Sequence, residues 1–103
     1  MRAITREAIR AFCNKKKFKR DNTEIRIIEK DDYSITQMRL HGNVIAELMP
    51  SGFYISTCGW STNTTKERLN GFTGVNIVQR DYEWYLNGEH WNGQRINVTL
   101  FCP

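Results

Sequence analysis

The chain has 103 residues, 40% of them apolar and 12% aromatic, which suffices for one hydrophobic core but not two and excludes intrinsic disorder. Its formal net charge of +4 is unevenly placed: the first twenty residues hold eight bases against Glu7, a local +7, and the remainder nets −3. No apolar run approaches the roughly 20 residues of a membrane-spanning helix, so a spanning role is excluded, and the cationic end indicates either an acidic partner or a solvated helix end matched to its own dipole.

The first predicted element is an amphipathic helix over residues 5–17. Ile4, Ala8, Ile9 and Phe12 recur at helical spacing while Arg6, Arg10 and Lys17 fall on other faces. Thr5 suits the N-cap, Glu7 the positive end of the dipole, and Lys15, Lys16 and Lys17 the negative end. After Asp21-Asn22 the period changes to two, with Ile25 and Ile27 alternating against Glu24, Arg26 and Glu29. Residues 34–40 alternate again, with Ile35 out of step. His41-Gly42-Asn43 then turns into a strand over 44–48, and Pro50-Ser51-Gly52 into one over 53–58.

Thr64 and Glu67 have capping-box spacing, Leu69 and Phe72 suit a core, and Gly71 suits a left-handed helix end, so a second helix is predicted over 64–71. A hairpin of 75–79 and 82–86 turning at Arg80-Asp81, the turn Asn87-Gly88 and a last strand over 95–101 follow. The predicted fold is one α+β domain, residues 1–103. It is an antiparallel meander sheet of about six or seven strands with two helices, one N-terminal and one between the fourth and fifth strands.

Few residues offer chemistry. His41 and His90 are the two histidines, neither near another strong ligand in sequence, so no metal and no cofactor is expected. Cys58 with His41 is the one nucleophile–base pairing that a meander brings onto neighbouring strands, against the plainer reading of a buried strand cysteine. Asp31-Asp32 read as turn formers, and the glycines are scattered singly rather than gathered in a phosphate loop. No enzyme activity is expected. Residues 1–7 lack the apolar stretch of a secretory signal, so the chain is expected in a cytoplasm, with Cys13, Cys58 and Cys102 as three free thiols. Tyr82 and Trp84 have the same parity on one predicted strand and so share a face. If exposed, that face stacks on bases or anchors an interface; if inward, it joins a core with Trp60 and Phe72.

The segments WSTNTTKERLNGF and GVNIVQRDYEWYLNG, with RAITREAIRAF and LHGNVIAEL, resemble a family of short proteins encoded by tailed bacteriophages. The resemblance spans most of the chain. It implies a viral accessory protein in a bacterial host cytoplasm and transfers no catalytic residue.

Two function classes remain. The first is a protein-binding module that docks on an acidic host protein, such as a defence complex, and inhibits or modulates it through Arg6, Arg10, Lys15, Lys16, Lys17, Lys19 and Arg20, with Tyr82 and Trp84 as aromatic anchors. The second is nucleic-acid binding through the same basic residues with Arg2, although no helix-turn-helix, zinc-finger or RNA-recognition signature is visible. A minor virion component is a third.

Overall fold

A computed structural model describes residues 1–102. Helix α1 (Ala3–Cys13) buries Ile4, Thr5, Ala8 and Phe12, the stripe that its spacing dictates. It begins and ends earlier than its periodicity suggests. Arg2, with no side-chain cap, is the N-cap residue, so Thr5 lies inside the first turn, where it is buried and donates its hydroxyl to Glu67. At the other end Lys15 takes a left-handed conformation at φ 54°. Its N–H donates to the Phe12 carbonyl and that of Lys16 to the Ala11 carbonyl, the paired bonds of a Schellman motif. The lysine run is therefore the exit from the helix and not its last turn.

That exit feeds a strand the sequence pattern did not reveal, β1 (Phe18–Arg20), followed by β2 (Thr23–Glu29), β3 (Ser34–Leu40), β4 (Asn43–Met49) and β5 (Gly52–Ile55). All pair antiparallel as a meander. Ile35 is not out of step: it sits opposite Ile28 in unbroken register, and the irregularity falls between Met38 and Arg39 in the β3–β4 pairing. Helix α2 (Asn63–Leu69) follows, then β6 (Ile77–Arg80), β7 (Glu83–Leu86), β8 (Glu89–His90) and β9 (Ile96–Val98). Instead of one sheet there are two. The larger has the order β1-β2-β3-β4-β5-β9, and β6-β7-β8 form a separate small sheet. Both predicted helices are present in an otherwise antiparallel α+β fold.

One face of the large sheet is apolar. Ile25, Met38, Ala46, Phe53 and Ile55 join Phe12 of α1, Leu69 of α2 and Trp84 and Leu86 of the small sheet in one buried cluster. Phe12, Phe53 and Phe72 meet at its centre, with ring centroids 5.0–5.8 Å apart, edge or tilted contacts that aromatic quadrupoles favour. Gly71 is needed for closeness and not for a left-handed turn, since a Cβ there would lie 2.6 Å from Thr5 Cγ2 and 3.1 Å from Ile9 Cγ1. The α2 cap also shifts by two residues: Thr62 accepts from the Thr65 N–H, which releases Glu67 from any capping box. Leu69 is fully buried, so Leu69→Ala is expected to cost about 2–5 kcal/mol. A thermal midpoint no lower than that of Lys66→Ala would contradict this.

The cysteines differ from expectation. Cys13 and Cys102 form a disulfide across 89 residues of sequence, with their Cα atoms 5.6 Å apart, and Cys58 is an exposed free thiol. Phe101 pairs with Thr73, which borders the Cys13 end of α1, and this pairing holds Cys102 near Cys13. No short-range spacing could reveal that proximity.

Candidate interaction edge

The structure divides the basic N-terminal residues into two groups. Arg6 and Arg10 lie on the exposed side of α1 that borders Gly71 and Thr73, and Arg6 donates to the Met1 carbonyl. Glu7 faces the other way and pairs with Arg20 of β1 at 2.7 Å. Both partners are half exposed, so this ion pair contributes little stability and mainly fixes where α1 meets the strand. Lys15, Lys16 and Lys17 continue from the helix exit to the start of β1, all exposed. Lys19 pairs with Glu24 in register and so lies on the opposite face of the sheet from Arg20.

Sequence reasoning missed Arg26. It shares the outer face with Glu24, whose carboxylate lies 3.4 Å from its Nε, and the alternation of β2 already carried that signal. The result is a cationic rim of Lys15, Lys16, Lys17, Lys19 and Arg26 around the first edge of the large sheet. Among the described residues the four lysines make no ion pair.

This edge is incomplete. β1 pairs only with Thr23, Glu24 and Ile25, so β2 runs on past it with no strand on that side among the described residues. A groove of about 590 Å³ fills the place, lined by Lys17, Phe18, Lys19, Arg26, Ile27 and Ile28 among others.

The aromatic pair does not share a face. Tyr82 is not in the strand: with Asp81 it makes the β6–β7 turn, both at positive φ, and it is 96% exposed. Trp84 is buried, its ring 6.4 Å from that of Trp91 and covered by the Lys66 ammonium at 5.7 Å. Shared parity held only while both residues belonged to one strand.

A second cleft, of about 430 Å³, lies beside the exposed Trp60. Three of its four threonine hydroxyls are already engaged: Thr62 accepts from Thr65 N–H, Thr65 donates to the Trp60 carbonyl, and Thr57 to the Gly93 carbonyl. His41 and Cys58 do not meet there; the His41 ring lies against Asn22 and the Cys58 thiol donates to the Val44 carbonyl. No group of three or more His, Cys, Asp or Glu among the described residues is arranged to hold a metal, and no helix is long and apolar enough to cross a membrane.

Away from the edge, one charged cluster is interior. Arg68 is fully buried, donating to Thr23 Oγ1 at 2.9 Å, to Thr5 Oγ1 at 3.0 Å and to Glu67. Burial pushes the Glu67 carboxyl up, but the Thr5 hydroxyl, the Arg2 backbone N–H and Arg68 together outweigh it and hold the group below its ordinary value. This cluster joins α1, β2 and α2.

The family model described as Kyanoviridae Gp96 protein matches residues 1–101. No curated protein and no solved structure matches the chain.

Proposed function

We propose, from the premise that this chain belongs to the Kyanoviridae Gp96 family of phage proteins, that it is an accessory protein that docks on an acidic surface of a host protein in the host cytoplasm and modulates it. The observation that carries this reading is the rim of Lys15, Lys16, Lys17, Lys19 and Arg26 around an unfinished sheet edge. The four lysines, which have no acidic partner among the described residues, favour an anionic surface and speed encounter with it; Arg26 adds charge that Glu24 partly offsets. The two arginines on the far side of α1, Arg6 and Arg10, are not part of this surface.

Reversing Lys15, Lys16, Lys17 and Lys19 to Glu tests it. The wild-type protein, used as bait in infected cells, is expected to recover its partner after nuclease treatment, and the reversed protein to lose it. Folding stability should change by no more than about 0.5 kcal/mol for each substitution, or about 2 kcal/mol for the four, because these side chains are exposed. Capture undiminished by reversal would contradict the reading, as would capture abolished by nuclease alone, which would assign the rim to nucleic acid.

A further inference from the structure

We propose that the open edge of β2 accepts a short acidic segment of the partner as an added antiparallel strand. This deepens the reading above and rests on it for the partner's charge.

Two hairpin bonds fix which way the backbone of β2 faces. Lys30 N–H donates to the Tyr33 carbonyl and His41 N–H to the Asn22 carbonyl, both across the β2–β3 pair. Residues 22, 24, 26, 28 and 30 therefore direct their N–H and C=O groups toward β3, because these groups alternate sides along a strand. The odd-numbered residues face the other way. Thr23 and Ile25 stand opposite Arg20 and Phe18 of β1. Among the described residues no strand stands opposite Ile27 and Glu29 on that side, since β1 starts at Phe18 and the chain before it leaves toward α1 through the left-handed Lys15.

A row of outward donors and acceptors beside a groove is what strand addition uses: main-chain bonds supply affinity and alternate side chains supply specificity. The groove has two kinds of wall. Phe18 and Ile27 are its apolar side, packed against the core. Lys19 and Arg26 share the other face of the sheet with Glu24, which stands opposite Lys19 and 3.4 Å from Arg26 Nε, so that with Lys17 this side holds three bases against one acid. The fitting segment alternates apolar and acidic residues. An antiparallel addition runs in the direction of β1, so its C-terminal end meets Phe18 and Lys17, and the lane holds about four residues at roughly 3.4 Å each. Lysines on an edge also discourage self-pairing, but that role alone predicts no strand binding.

The test uses amide hydrogen exchange on the whole protein with a synthetic peptide of about six residues, alternating glutamate and valine and ending in a free carboxylate. At millimolar peptide the amides of Ile27 and Glu29 should slow by about tenfold or more, while those of Arg26 and Ile28, already bonded to β3, change little. The same peptide with lysine for glutamate should have no effect. Glu29→Pro removes one N–H from the lane and makes the protein more cationic. Strand addition predicts binding weaker by roughly fivefold to tenfold, whereas docking by charge alone predicts equal or tighter binding. Unchanged binding by Glu29→Pro, with β3 amides still protected, overturns strand addition and leaves the charge-based reading standing. So does equal slowing of odd and even amides. Protection by a single-stranded oligonucleotide but not by the acidic peptide overturns both.

Discussion

Arg68→Ala is expected to lower folding stability by about 3–5 kcal/mol, measured as the denaturation midpoint at neutral pH. Arg68 is the largest fully buried side chain, and its guanidinium reaches Thr23 of β2 and Thr5 of α1 from α2. Truncation leaves Glu67 without its cation, leaves two buried hydroxyls short of a donor, and opens a void. Arg68→Lys should recover only part of the loss, because a single ammonium cannot span donors that the planar fork reaches together. Arg68→Met, which fills the volume without the charge, separates the void from the lost hydrogen bonds.

Glu67 gives the same cluster a pH signature. Its carboxyl is held below the ordinary value in the fold, so its contribution is complete above the ordinary glutamate range and is lost as pH falls through the lowered folded value. Removing Arg68 takes away one of the lowering causes. The acid limb of the Arg68→Met stability curve should therefore be shallower than that of wild type, and an identical limb would show that Glu67 does not depend on Arg68.

Opening the Cys13–Cys102 bridge is the second large effect. A cross-link that closes 89 residues lowers unfolded-chain entropy by the equivalent of about 4–5 kcal/mol. For a domain of this size that is roughly 15–25 °C in the melting midpoint. Cys13→Ser, Cys102→Ser and the reduced wild type should melt together, well below the oxidised protein. Cys58→Ser should melt like wild type, since its thiol is exposed and unbridged. A host cytoplasm is reducing and works against such a bridge. The proposed docking in a host cytoplasm therefore requires that the reduced protein keep its first sheet edge, which amide protection in β2 of the reduced form would show.

The elements that the sequence makes legible are those with periodic burial or clear flanking turns. β3 falls where alternation puts it, β4 between the turns at residues 41–43 and 50–52 although the adjacent Ile45 and Ala46 are both buried, and α2 where its apolar Leu69 requires it, with the cap at Thr62 rather than Thr64. β1 escapes because two of its three residues, Lys19 and Arg20, are exposed bases devoid of pattern, and because Lys15, Lys16 and Lys17 just before it suit the end of a helix that Lys15 in fact terminates by its left-handed backbone. Cys13–Cys102 and the Arg68 cluster join residues far apart in sequence, which local spacing does not encode. For the candidate edge, the lysines and their charge were readable from composition and Arg26 from strand parity. The open lane was not, because it depends on β1 being shorter than its neighbour.

The disulfide also changes how the molecule bears mechanical load. Residues 13–102 form a covalent ring closed by sulfur, and every strand of both sheets lies on that ring. Tension applied between Met1 and Cys102 runs through α1 and across the sulfur bond without entering the sheets. In an optical trap the oxidised protein should yield only the short extension of its N-terminal helix, and a single peptide-bond cut in the loop after α2 should leave the two pieces travelling together. Reduction routes the same pull through the sheets, and the extension on unfolding becomes that of the whole domain.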